Sequence, residues 1–555
     1  MNKSLFLLVA MPTQLISDLK KASLQFSSNS GENKRTLLVR CSALKLSGIK
    51  DIISYHDTLL FLLAYPEDEQ QYKLALHEMF RLAEIVKNLP TVKKEKLDLS
   101  GLAFTATHGG FSISLIKWLL KEFPGQASIH SFDENGVHPK EILKHALPEM
   151  EFEICADEKL KPAAWLSKVS GTKNKHEQLN WLMHHLQSSA IPDLVLDQLM
   201  ESLKMYVTIR PAGGSFSRSF GKVAPEKIFY HTNGLFKKFD EHALINKRLP
   251  APKKLSDPEK KTIISVSRVA LCLLNRETDP VTYCNEDGLL VYDLEHGLSI
   301  ALFSMLPERR LPLESYIGFM MFKNGYPMAY GGGWLFGKRS LLGINIFEAF
   351  RGGESAFVFA QLLRTYKNAF GAEYFEVEPY QFGKDNPEGL QSGAFWFYYR
   401  FGFRPVDEQL NQLASEEQKK IRSQNGYRSP IAILKEFTRS NVAVNFSGSK
   451  TPVNPSAISR FITQEIVKQF NGDRPAAQKY CNAKLKKELG IDSTRKNAGI
   501  KKLSLFYGLC LQTNKLNARD KSLLKQFILE KGMDEFKYIE LCNRINFKYS
   551  LPDPS

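Results

Sequence analysis

Hydrophobic positions change their period three times along this chain. Up to about residue 207 they recur at helical spacing. Tyr72, Leu76, Met79, Phe80, Ala83 and Val86 follow the turn at Pro66-Glu67-Asp68, and Ile113, Ile116, Trp118, Leu119 and Phe123 run up to Pro124-Gly125. Each set places its apolar side chains on one helical face. A third helix is predicted from Leu194 to Tyr206, opened by Pro192-Asp193. Residues 208–255 then lose the period. Arg210 to Gly221 is rich in Gly, Ser and Arg, and Leu249 to Lys254 carries two prolines, so this stretch reads as a mobile connector. Ser256-Asp257-Pro258 opens another helix, with a capping side chain followed by proline in the first turn.

Strand-like runs follow. Gly288 to Asp293 and Leu298 to Phe303 are short and apolar, and the runs Tyr316–Phe322 and Tyr326 onward flank Asn324-Gly325. Asn-Gly between two apolar runs is a strong hairpin signal. Beyond Gly331-Gly332-Gly333 a strand is predicted from Leu342 to Phe350. A glycine turn, Arg351-Gly352-Gly353-Glu354-Ser355-Ala356, leads from it into a helix, Phe357 to Phe370. Phe359, Leu362, Leu363 and Tyr366 form the inner face of that helix. Tyr374 to Pro379 is the next strand, Gln381 to Gly389 a polar loop, and Ala394 to Pro405 an aromatic helix running into a last strand. After about residue 415 helices return, over 454–470, 474–489, 500–512, 520–530 and 534–544. The fold class expected is α+β: a mixed sheet with flanking helices, preceded and followed by mainly helical regions. The boundaries fall at 1–207, 208–255, 256–415 and 416–555.

Composition adds location more than class. The chain has 555 residues, 43% of them apolar, enough for several cores. Its net charge of +16 is uneven. From Asn411 onward 26 Lys and Arg face 13 Asp and Glu, against 49 and 46 before it. Lys484, Lys486, Lys487, Arg495, Lys496, Lys501 and Lys502 concentrate this charge, a patch that suits nucleic acid, an acidic partner or anionic lipid, or a plain solvated surface. The seven cysteines are widely spaced, without CxxC, and fit unpaired thiols in a reducing compartment. No His lies beyond His296 to complete a C-terminal zinc site, so no metal is expected. Lys3 and the apolar run Leu5–Met11 imitate a signal peptide, but the run is short and no cleavage motif follows. No apolar run nears the ~20 residues of a spanning helix. A cytoplasmic protein without a membrane span is the expectation.

Two minor motifs carry little. Thr107-His108-Gly109-Gly110 precedes a helix and reads as a glycine turn, with anion binding as the sharper alternative. His184 and His185 are helical neighbours that point apart.

The stretch from Tyr326 to Asp407 carries the chemistry. A glycine turn from strand into helix presents backbone amides and a positive helix end, which suits a pyrophosphate, and Arg351 adds a fixed charge. With the later residues Ala394, Tyr398, Gly402 and Phe403 in an Ala-x-x-x-Tyr-x-x-x-Gly-Phe pattern, residues 256–410 resemble the GNAT (acyl-CoA N-acyltransferase) superfamily. The resemblance implies acyl transfer from acetyl-CoA or another acyl-CoA, or from another phosphopantetheine thioester, to an amine. Arg351, Gly352, Gly353, Glu354, Ser355 and Ala356 would hold the donor. Tyr398 aligns with the tyrosine the family often uses to protonate the leaving thiolate. Glu378, at the end of the strand where such enzymes open their sheet, is the preferred base, with Glu348 and Glu376 behind it. Strand alternation places Glu376 and Glu378 on one face and Phe375 and Val377 on the other. Asn386, Glu388, Gln391 and Ser392 are candidates for lining an acceptor pocket. The family turn reads Arg/Gln-x-x-Gly-x-Gly/Ala, and Glu354 stands where its internal glycine would be. An acid there repels a pyrophosphate unless its side chain turns away. The rival expectation is a non-catalytic GNAT-like scaffold whose basic C-terminal region binds nucleic acid or a protein partner.

Overall fold

The computed structural model describes residues 12–27, 29–153, 160–448, 452–513 and 516–545. The Leu5–Met11 run and Cys155 lie outside the described residues. Among the described residues eleven strands form two sheets. The smaller is antiparallel, in the order β1 (Thr107–Gly109), β3 (Met205–Ile209), β2 (Ala127–Phe132). The larger contains β4 (Cys284–Asp293), β5 (Leu298–Met305), β6 (Ser315–Lys323), β7 (Tyr326–Phe336), β8 (Arg339–Ile346), β9 (Tyr374–Val377), β10 (Arg404–Pro405) and β11 (Val442–Asn445). Its order is β10-β11-β9-β8-β7-β6-β5-β4. Every pairing in it is antiparallel except β8 with β9. The molecule is thus mixed α/β around an eight-stranded mixed sheet.

That single parallel step requires a crossover, supplied by the helix Ser355–Phe370. Phe359, Leu362, Leu363 and Tyr366 of this crossover helix are buried, as the periodicity predicts. One sheet face, with Ile300, Leu302, Ile317, Phe319, Met321, Leu335, Leu342 and Phe375, shares a core with the crossover helix and with the N-terminal helices between Pro12 and Lys87. On the other face Ala301, Phe303, Met320 and Phe322 meet the helix Asp257–Leu273, which opens with the predicted cap, a reciprocal box between Ser256 and Glu259. Residues around the small sheet have their own core, from Phe111 to Phe216, closed by Val269, Cys272 and Leu273.

Several local expectations are corrected. The helix expected to reach Tyr206 ends at Leu203, where Lys204 turns left-handed (φ 45°) and the chain enters β3. Thr107-His108-Gly109 is the edge strand β1, so its amides are not a helix-entry anion nest. Gly331-Gly332-Gly333 lies inside β7. β8 starts at Arg339 and stops at Ile346, which leaves Glu348 in a short 3-10 turn, Glu348–Phe350, rather than on the strand. The connector is packed: Phe216, Ser217 and Ser219 are buried, Arg218 pairs with Asp57 (2.8 Å), and Ser219 Oγ meets His56 Nε2 at 3.0 Å. The Ser219–His56–Asp57 array resembles a nucleophilic relay, yet Ser219 is 2% and His56 0% exposed, so it works as a staple. The six described cysteines are free and buried.

The C-terminal helices seat on the far end of the sheet, at the start of β8 and the end of the crossover helix. Arg310 and Lys531 both pair with Glu535 (each 2.8 Å), Lys531 donates to Glu314 O (2.9 Å), and Asn543 donates to Phe370 O (2.6 Å).

Candidate functional site

β9 pairs with β8 only from Arg339/Tyr374 to Leu341/Glu376, while β8 continues to Ile346. From Leu342 onward the edge of β8 faces a gap rather than a strand. The Arg351–Ala356 turn follows the end of β8, and the aromatic helix Ala394–Arg400 follows the chain beyond β9. Gln381, in the 3-10 turn Pro379–Phe382 after β9, bridges the gap. Ile344 N–H donates to its side-chain oxygen at 3.3 Å, and Tyr398 Oη donates to the same oxygen at 3.4 Å. The next outward carbonyl, Ile346 O, accepts Arg351 Nε at 3.3 Å. Tyr398 is thus linked through Gln381 to the free edge of β8 at Ile344, and Arg351 reaches back to the same strand two residues further on.

The turn itself is cramped and preformed. Gly352 has φ 87°, and a Cβ on Gly353 would lie 2.9 Å from Tyr65 Oη, contributed by the N-terminal helices. Among the described residues no protein group accepts from the amides of Gly352, Ser355 or Ala356. Arg351, half exposed, forms an ion pair with Glu388. Glu354 points away from these amides. Its carboxylate is 1% exposed, accepts Lys323 Nζ at 2.6 Å and the Phe236 amide at 2.7 Å, and lies 3.7 Å from His231 Nδ1. Burial alone pushes its carboxyl up, but Lys323 and then His231 overcome this and hold it below the ordinary range. The acid that sequence places beside a pyrophosphate is thus inside the molecule with its charge matched.

Tyr398 is buried among Phe359, Phe382, Phe397 and Phe403, and burial pushes its hydroxyl well above the ordinary tyrosine value. Its proton stays in place at neutral pH. Glu376 is not free for base work: Arg339 (2.8 Å) and Asn441 (2.6 Å) hold its two oxygens. Glu378 is exposed just beyond β9, which stops at Val377 before strand alternation can align it with the buried Glu376, and its carbonyl accepts Gln381 N–H at 3.0 Å in the turn that bridges the gap. Glu348 is exposed, and its carbonyl accepts the Arg351 amide at 3.1 Å. Asn386 caps the helix Pro387–Ser392, Glu388 serves Arg351, and Gln391 and Ser392 are exposed.

Sequence reasoning missed Gln381, Lys323, His231 and Tyr65. Lys323 closes a strand next to a hairpin turn, where lysine is unremarkable, and its partner lies 31 residues away. Only Gln381 left a trace, in the polar loop after β9. A cavity of about 810 Å³ lies elsewhere, between residues 223–230, the helix at Pro258–Ile263 and the β4–β5 connection. His296 lines it while its carbonyl accepts Lys323, so the Lys323–Glu354 pair separates this cavity from the turn.

Of the basic C-terminal side chains, Lys484 donates to Gly508 O, Lys486 pairs with Asp492 and Lys502 donates to Arg310 O, while Lys487, Arg495, Lys496 and Lys501 are exposed. Among the described residues no group of three or more His, Cys, Asp or Glu could hold a metal ion, and no helix is long and apolar enough to cross a membrane. No protein-family model matches the chain, and comparison with curated proteins and with solved structures gives no match.

Proposed function

We propose that this protein is a GNAT-like acyltransferase that moves an acyl group from acyl-CoA, or another phosphopantetheine thioester, to an amine. The observation that carries the reading is the parallel step at which β8 outruns β9, with a glycine turn following the freed edge and Tyr398 linked to it through Gln381. The residues present fit the donor. Unused amides at Gly352, Ser355 and Ala356 and the Arg351 guanidinium suit phosphate oxygens. The exposed edge of β8 offers hydrogen bonds to an amide-bearing arm, a position the Gln381 carboxamide takes in the structure. Burial of Glu354 removes the repulsion that its position in the sequence implies.

In this reading the amine attacks the thioester carbonyl and the thiolate leaves. Tyr398, kept protonated by burial, donates its Oη proton toward the departing sulfur. Glu378 accepts the proton of the attacking nitrogen, directly or through water. Arg351 and the turn amides hold the donor still.

A second reading, a GNAT-like binding scaffold, draws on one observation: Gln381 and the Arg351–Glu388 pair fill the groove with the protein's own side chains. Melting curves with acyl-CoAs of increasing chain length separate the two. The acyltransferase reading expects stabilisation by at least one acyl-CoA, lost in Arg351→Glu, and an amine-dependent turnover that slows in Tyr398→Phe while donor binding persists. Stabilisation by none of them, with tight salt-sensitive binding of nucleic acid, would establish the scaffold instead.

A further inference from the structure

Resting on the acyl-transfer reading, we propose that Glu354 is a positioning residue for the donor turn, fixed by a strap of residues 229–247 that also reaches the aromatic helix. Glu354 is the N-cap of the crossover helix: its carbonyl accepts the Val358 amide at 2.9 Å. The orientation of an N-cap residue sets the direction of the amides that follow it, here those of Ser355 and Ala356. A glycine at this point would leave that direction to the ligand. Here the side chain is gripped from beneath instead.

The grip comes from three parts of the chain. Lys323, at the end of β6, donates to Glu354 Oε2 and to His296 O, each at 2.6 Å. Phe236 N–H, from the strap, donates to Oε1 at 2.7 Å. Tyr65, from the N-terminal helices, fills the space a side chain on Gly353 would need.

The strap is tied down along its length. Asn324 donates to Phe229 O (3.0 Å) and accepts from Phe229 N–H (2.9 Å), and its amide also donates to Ala64 O (3.0 Å). His231 N–H donates to Pro66 O at 2.7 Å. Phe236 and Phe239 pack edge-on against Phe357, the third residue of the crossover helix. Further on, Arg364 donates to Lys247 O (2.9 Å) and Arg248 O (2.6 Å), and Glu241 pairs with Arg400 of the aromatic helix at 3.3 Å. One segment thus touches the turn at Glu354 and the Tyr398-bearing helix at Arg400. It connects the turn with the aromatic helix, by a buried contact at Glu354 and a partly exposed ion pair at Arg400, and it makes the N-terminal helices part of the turn's support. Preorganisation of this kind raises affinity by removing disorder that binding would otherwise have to suppress.

The test compares two full-length double variants. Lys323→Met/Glu354→Gln and Lys323→Met/Glu354→Met both remove the buried charges together, so neither leaves one unpaired. Only the first keeps an acceptor for the Phe236 amide. Phe236→Pro deletes the same N–H, together with the ring, while leaving the ion pair whole; measured against Phe236→Ala, which loses only the ring, it answers the question if a double variant fails to fold. The expected result is a donor KM about tenfold higher in the Met/Met variant than in the Met/Gln variant, with similar kcat. Hydrogen exchange is expected to be faster at 232–239 and 352–358, and Phe236→Pro should shift donor KM the same way relative to Phe236→Ala. Equal donor KM and equal exchange in the two double variants, or a Phe236→Pro unshifted from Phe236→Ala, would overturn the positioning role. Failure of wild-type protein to bind any acyl-CoA overturns the functional reading, and this inference with it.

Discussion

At Glu354 a single side chain decides between two chemistries. Exposed at the turn it would repel a pyrophosphate; turned inward it gives Lys323 a partner and leaves the amides clear. Such a pair is not a generous source of stability, because desolvation offsets most of its attraction. Its worth lies in holding one geometry. The same cluster contains His231, 1% exposed, whose imidazole is pushed down to about 4 by burial first and by Lys323 second, against the pull of Glu354. The unfolded chain, with an ordinary histidine, binds more protons below about pH 6.5 than the folded one. Stability from His231 is therefore complete above pH 6.5 and is lost as pH falls toward 4, by up to about 3 kcal/mol. Glu354 acts in a lower window, since its stabilising charge is lost only below the ordinary carboxylate range. His231→Gln is expected to reduce the slope of melting temperature against pH between 6.5 and 4, a slope to which the buried His56 also contributes. A wild-type profile that is already flat from 6.5 to 4 would refute this account of His231.

At the scale of elements, the β8–β9 step makes the groove. Two strands that stayed paired to Ile346 would leave no free edge and no place for Gln381. β9 stops at Val377 because Pro379 follows Glu378 and cannot donate to a ladder. The turn is closed by Tyr65, and this contact can be tested by one methyl group. Gly353→Ala places a Cβ 2.9 Å from the Tyr65 ring and hydroxyl. Overpacking a rigid, buried site costs about 1–3 kcal/mol. The melting temperature is expected to fall by several degrees, and Tyr65→Ala/Gly353→Ala is expected to fall by less than the sum of its single variants. Full additivity would mean that the two residues do not meet. Secondary structure at these elements was legible: the Asn324-Gly325 hairpin, the crossover helix and the aromatic helix all stand where periodicity and turn chemistry put them. The end of β8 was not, because Phe347 and Phe350 continue the apolar run after the backbone has already turned.

At the scale of the whole molecule, the regions flanking the large sheet are not appendages. Residues from Leu15 to Cys542 share one hydrophobic core with it. The C-terminal helices are joined by Arg310, Lys531 and Glu535, each buried, with Lys531 pushed below its ordinary value by burial although Glu535 opposes the shift. This joint lies at the opposite end of β8 from the Arg351 turn, so the exposed Lys487, Arg495, Lys496 and Lys501 belong to a region seated away from that turn.

The sequence by itself determined the helices, the hairpin, the glycine turn and the aromatic helix, because each is written in local periodicity, caps and turn residues. It also singled out Arg351, Glu354 and Tyr398 as the positions where chemistry would be decided. Only the tertiary structure decided where those side chains sit and what they touch. The direction of Glu354 depends on Lys323, Phe236 and His231, and the gap beside Ile344 depends on where a distant strand ends. Closure of the turn depends on Tyr65, nearly three hundred residues earlier in the chain. These are long-range contacts between side chains, and no local spacing encodes them.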